Sequence, residues 1–131
     1  MPSVRYDPPM PQTGEFADTF ARLRKILKPY ARHFTVKTDT PTAYYLFCKT
    51  ATTRTGSPIA FGGVEIKKNY VSFHLIPVYA NPKLVDTLSP ALRKRMQGKS
   101  CFNFTAIDPA QVKELAAVTK KGFPGFVKQF P

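Results

Sequence analysis

Apolar residues recur at three-to-four spacing early in the chain, where Phe16, Phe20, Leu23, Leu27 and Tyr30 fall on one face of a helix. Thr13 or Gly14 stands where a cap is needed, and Glu15 and Asp18 put negative charge at the positive end of the helix dipole. The spacing predicts a first helix from Glu15 with those five side chains turned to a core. From Phe34 the period changes to two. FTVKT, AYYLFCK, PIAFGGVEIK and NYVSFHLIPVY are short runs rich in β-branched and aromatic residues, and they predict consecutive antiparallel strands. Lys67, Lys68 and Asn69 separate the last two as a hairpin turn. Beyond that turn Val71, Phe73 and Leu75 alternate with Tyr70, Ser72, His74 and Ile76, so one face is apolar and the other mixed.

Prolines and glycines punctuate the second half. Asn81-Pro82 and Ser89-Pro90 each set a capping residue before a proline suited to a first helical turn, predicting short helical pieces over 82–88 and 90–97, the second stopped by Gly98. SCFNFTA predicts a further strand. Asp108-Pro109 opens a last helix with an apolar stripe at Val112, Leu115, Ala116 and Val118 or Thr119, and Gly122 is expected to close it. The tail of residues 123–131 is aromatic and reads as irregular, as does the arm of residues 1–14 with its four prolines. Strands bracketed by helices predict an α+β two-layer sandwich: an antiparallel sheet of about five strands, with the N- and C-terminal helices on one face, in a single domain over residues 15–122.

Charge narrows the partners. With 20 Lys and Arg against 8 Asp and Glu, the formal net charge is +12. Such a field favours anionic small ligands, acidic protein surfaces or nucleic acid. No RNP, finger or zipper pattern accompanies it, so nucleic acid stands as the alternative partner and not the first. Arg22, Lys25, Lys28 and Arg32 share one side of the first helix and read as its solvated face. Cys48 and Cys101 lie inside apolar or aromatic runs without a CxxC or metal-ligand spacing, which predicts two buried, reduced thiols and neither metal nor cofactor. No stretch approaches the ~18 apolar residues of a membrane span. The N-terminus also lacks the apolar core of a signal peptide, so a cytoplasmic protein without membrane contact is expected.

The segment RMQGKSCFNF, residues 95–104, concentrates the candidate chemistry. Its Gly98-Lys99-Ser100 imitates a phosphate loop, but Arg93 stands where that motif needs a second glycine. The order of elements is also reversed, with a helix before the segment and a strand after it. Two readings remain: Arg93, Lys94 and Arg95 offset the negative end of the helix dipole, or Arg93, Arg95, Lys99 and Ser100 form an anion site at the rim of the sheet. Asn103 points away from Phe102 and Phe104 and shares a face with Cys101; if buried, it needs partners. Tyr70, His74, Tyr79 and Cys101 are weaker candidates for the walls of that site. No catalytic residue is assigned: carboxylates are few, His74 has no ligand or base neighbour in sequence, and Cys101 would need a cation such as Lys99 to become nucleophilic.

Three segments, KNYVSFHLIPVY, LSPALRKRMQGKSCFNF and VKELAAVTKKG, together with the leading helix resemble the YdhG-like family of bacterial domains of unknown function, over about residues 14–122. The resemblance implies a frataxin-like fold and, through proposals made for some members, iron chaperoning. Iron handling of that kind uses clustered acidic side chains on the first helix and neighbouring strand. Here that helix offers only Glu15 and Asp18 among basic residues, which repel a hard cation. The expectation is a non-enzymatic domain that binds an anionic small ligand or an acidic partner surface through Arg93 to Asn103.

Overall fold

The computed structural model describes residues 15–131, so the Pro-rich arm and the Thr13 or Gly14 cap lie outside the described residues. Helix α1 spans Glu15–Leu27 and buries Phe16, Phe20, Leu23, Ile26 and Leu27; Pro29 then starts a 3-10 segment, Lys28–His33, that leaves Tyr30 half-buried. Six strands follow in one antiparallel sheet: β1 Thr35–Thr40, β2 Ala43–Thr52, β3 Pro58–Ile66, β4 Val71–Leu75, β5 Met96–Gln97 and β6 Cys101–Phe104. Their spatial order is β1-β2-β3-β4-β6-β5. Helix α4, Pro109–Gln129, lies beside α1, and α1 packs on β3 and β4, which makes the two-layer α+β sandwich. The core forms between the layers, where Tyr44, Leu46, Val64, Val71, Phe73, Phe102 and Phe104 are almost wholly removed from water.

Three segments depart from the sequence expectation. The strand read through Tyr79 stops at Leu75, and Ile76–Ala80 forms a short helix, α2. Pro77 accounts for the switch, since it cannot donate to a sheet ladder but suits a helix's first turn. The helix expected over 90–97 is only α3, Pro90–Arg93, capped by Ser89, whose Oγ accepts the Leu92 N–H at 3.2 Å. Met96 and Gln97 instead pair with Phe102 and Cys101, adding a sixth strand, and Gly98 at φ +75° sits in the connecting hairpin instead of ending a helix.

The third departure is at the C-terminus. Helix α4 opens with a capping box between Asp108 and Gln111, but it does not close at Gly122, and residues 123–129 continue it. Pro124 has no N–H for the Lys120 carbonyl, a local loss that weighs against a helix. Aromatic burial outweighs it. Phe126 is buried and stands 5.2 Å from the Phe61 ring, Phe61 stacks on Phe34 at 4.4 Å, and Phe123 lies 4.9 Å from Tyr30. Burying one such ring contributes about 1.5–3 kcal/mol. The chain end is tied down as well, because the Ala51 N–H of β2 donates to the Pro131 carbonyl at 2.9 Å.

Gly122 therefore serves packing and not termination: a Cβ there would lie 2.7 Å from Pro77 Cβ on α2 and 3.1 Å from Leu84 Cδ1. Alanine's higher helix propensity would favour Gly122→Ala by about 1 kcal/mol. The rigid proline ring cannot rotate away, however, and overpacking of this kind costs about 1–3 kcal/mol. Thermal unfolding should show a lower Tm for Gly122→Ala than for the wild type; a higher Tm would mean that α2 yields at no cost.

Candidate functional site

Strand alternation sends every second side chain to the face of the sheet that carries no helix. Strand pairing lines these residues up in two rows. One row runs Tyr45, Gly63, His74, Cys101 and Gln97 across β2, β3, β4, β6 and β5; the next runs Glu65, Ser72 and Asn103 across β3, β4 and β6. Tyr45 lies flat over Gly63, whose absent side chain leaves the room: a Cβ there would meet the ring at 2.1 Å.

The polar atoms of this face form two linked contacts. Cys101 Sγ is 2.9 Å from His74 Nδ1, and His74 Nε2 is 3.3 Å from Ser72 Oγ. Beside them the Tyr45 hydroxyl donates to Glu65 Oε1 at 2.8 Å, Lys67 Nζ pairs with the same oxygen at 3.4 Å, and the Tyr45 and His74 rings lie 6.1 Å apart. Burial pushes the His74 pKa down, Lys67 adds to the fall and Glu65 partly opposes it, so the imidazole is neutral at pH 7. A thiol that donates to Nδ1 then leaves the ring proton on Nε2, facing Ser72. Burial, followed by the bond to Glu65, raises the Tyr45 pKa, while acceptance from Tyr45 is the main reason the Glu65 carboxyl sits low.

The residues expected to form an anion site do not all meet. Asn103 reaches the helix-free face as anticipated, and its N–H donates to the Arg95 carbonyl at 2.8 Å, which sets Arg95 opposite it. Because Met96 faces the core beside Phe102, alternation sends Arg95 outward with Asn103. Asn103 Oδ1 is buried and has no hydrogen-bond partner among the described residues. Lys99 is elsewhere: with Tyr79 and Met96 it lines a groove of about 430 Å³ beside α2. Arg93 is exposed on α3, the Ser100 carbonyl accepts the Leu75 N–H at 2.8 Å, and Tyr70 stands in the turn before β4, its carbonyl accepting the Lys67 N–H. Of the two thiols read as buried, only Cys48 is so, whereas Cys101 is partly open to solvent because odd-numbered positions of β6 face outward.

Sequence reasoning named His74 and Cys101 separately and missed their contact, along with Tyr45, Glu65, Lys67 and Ser72. The alternation in NYVSFHL and SCFNF already set the polar positions of each strand on one side. The missing fact was that β6 pairs with β4 across 25 intervening residues, shown by the His74–Cys101 register. Among the described residues no three His, Cys, Asp or Glu side chains gather as a metal site, and no helix is long and apolar enough to cross a membrane. No family model, curated protein or solved structure matches the chain, so relatives supply neither family nor role.

The two shifted groups act in separate pH ranges. His74 titrates lower in the folded chain than its ordinary 6.5, so as the pH falls through about 6.5 the unfolded chain takes up the proton first and stability drops. Glu65 titrates below its ordinary 4.5 when folded, so its contribution is complete above 4.5 and drains away only as the pH falls further. Urea midpoints for the wild type should decline between about pH 7.5 and 5.5. His74→Gln should flatten that interval while keeping the loss at lower pH, and an equal decline in the variant would assign the upper step to another group.

Proposed function

We propose that this chain is a small binding domain for an anionic ligand, taken on the helix-free face of the sheet between Arg95, Asn103 and Ser72. The observation that carries the reading is the buried Asn103 Oδ1 without a partner. An acceptor withheld from water costs about 1–3 kcal/mol unless a donor reaches it, and a ligand that brings both a donor and negative charge suits the neighbourhood. A phosphate monoester in its singly protonated form has both: its P–OH can donate to Asn103 Oδ1 while its anionic oxygens accept from the Arg95 guanidinium. Glu65, the acidic group on this face, is already engaged by Tyr45 and Lys67, which lessens its repulsion of an incoming anion. The basic surplus of the whole chain draws such ligands in before contact.

The site is narrower than the segment from Arg93 to Asn103, because Lys99 lies with Tyr79 beside α2. A thermal-shift series of the full chain with inorganic phosphate and a sugar phosphate, each in low and moderate salt, tests the reading. A ligand at 100 times its Kd stabilises the folded chain by about 2.7 kcal/mol. We expect a rise in Tm that survives moderate salt in the wild type and disappears in both Arg95→Ala and Asn103→Leu. A rise retained by both variants overturns the site, and one produced only by nucleic acid at low salt favours a polyanion partner.

A further inference from the structure

The Cys101–His74 contact supports chemistry that anion binding does not use. We propose that Cys101 is a reactive thiol, with His74 as its base, that exchanges with a carboxylate-bearing low-molecular-weight disulfide to form a mixed disulfide on the helix-free face. The inference rests on the Cys101–His74 contact and shares Asn103 and Arg95 with the ligand reading above, but its thiol chemistry is tested separately.

Geometry carries it. The Sγ to Nδ1 distance of 2.9 Å is proton-transfer range, and the other ring nitrogen is 3.3 Å from Ser72 Oγ, so a nucleophile, a base and a group that orients the base stand in sequence on adjacent strands. Cys101 is partly open to solvent, as a reacting thiol must be. Two residues along the same strand and on the same face, the orphaned Asn103 Oδ1 offers an acceptor to the amide or ammonium N–H of an incoming molecule.

The strand order identifies the source of the second sulfur. Cys48 is on β2 and Cys101 on β6, three strand spacings apart in the order β2-β3-β4-β6, or about 14 Å at ~4.8 Å each. Cys48 also points to the opposite, helix-covered face, 3.6 Å from the Phe130 carbonyl. Disulfides require Cα atoms within about 7 Å, so an internal bridge is excluded and Cys101 can form a disulfide only with a sulfur from outside the chain. The half-buried position between His74 and Asn103 suits a small partner, and Lys67 and Arg95 favour one with carboxylates.

The step balances. His74 Nδ1 takes the thiol proton, Sγ attacks one sulfur of RSSR, the old S–S bond breaks as the Sγ–S bond forms, and the leaving thiolate takes the proton from the imidazolium and departs as RSH. The incoming disulfide is the only oxidant. The charged and titratable groups facing His74 are Tyr45 from β2, Glu65 and Lys67 from β3 and its turn, and Cys101 from β6; Arg95, opposite Asn103, lies one row away and two strands off.

The test is the rate at which folded full-length protein releases thionitrobenzoate from dithiobis(nitrobenzoate), a carboxylate-bearing disulfide, followed from pH 5 to 9. We expect one equivalent released fast and lost in Cys101→Ser, with Cys48 reacting only after unfolding. His74→Gln should slow the fast phase by at least about tenfold and return its pH dependence to that of an ordinary thiol. Added imidazole should restore part of the rate in His74→Ala, which separates loss of the base from loss of folding. With each rate divided by that of 2-mercaptoethanol for the same reagent, the carboxylate reagent should be favoured over the cationic disulfide cystamine in low salt, and the preference should shrink as salt is added. The proposal is overturned if Cys101 reacts no faster than Cys48, if both His74 variants keep the wild-type rate, or if oxidation gives a covalent dimer in place of the mixed adduct.

Discussion

Two adjacent glycines in the middle of β3 let both layers of the molecule close. Inward, Gly62 leaves room for α1: a Cβ there would stand 3.1 Å from Leu27 Cδ2 and 3.0 Å from the His74 carbonyl, so the helix could not settle so near the sheet. Outward, Gly63 lets the Tyr45 ring lie across β3 and extend its hydroxyl to Glu65. Burial of Leu23 and Leu27 follows from the first approach, and the placement of the polar face follows from the second. Interiors close-pack to the density of organic crystals, so one methyl group on either side would be felt across the whole sandwich.

The elements that were legible are those in which local pattern and tertiary burial agree. Phe16, Phe20, Leu23 and Leu27 repeat at helical spacing and are buried; Val71, Phe73 and Leu75 alternate and are buried. The C-terminus was illegible because the two signals disagree. GFPGF contains three residues that disfavour a helix, and only the rings it shares with Tyr30, Phe34 and Phe61 reverse that preference. Those partners lie some sixty to ninety residues earlier in the chain, beyond the reach of any local window. Met96-Gln97 has the same character: two residues make a strand only because Phe102 and Cys101 are already in place to pair with them.

The polar face was half legible. Alternation set Ser72 with His74 and Cys101 with Asn103, but each pair has meaning only through the other, and their union depends on β6 entering the sheet next to β4. The insertion of α2, a 3-10 turn and α3 between those strands hides the adjacency. The lone basic cluster anticipated at residues 93–99 separates for a related reason. The hairpin sends Arg95 and Gln97 to one face, while its tip carries Lys99 toward α2. Residues close in sequence are thus parted by the strand's two-residue period, and residues far apart are joined by its pairing.

The charges of this face also decide which protonation state the imidazole keeps. Burial alone would leave His74 neutral, and Lys67 reinforces that, whereas Glu65 pulls the other way. Lys67 Nζ, 3.4 Å from Glu65 Oε1, offsets part of that pull by its own positive charge. Tyr45, held over Gly63, does more than fill a gap: by donating to Glu65 it keeps that carboxylate ionised, and the charge so held limits how far burial and Lys67 lower the His74 pKa. A neutral imidazole can accept the thiol proton, and a charged one cannot. The glycine that admits Tyr45 is thereby connected, through a ring, a carboxylate and an imidazole, to the proton affinity of the group that faces the sulfur.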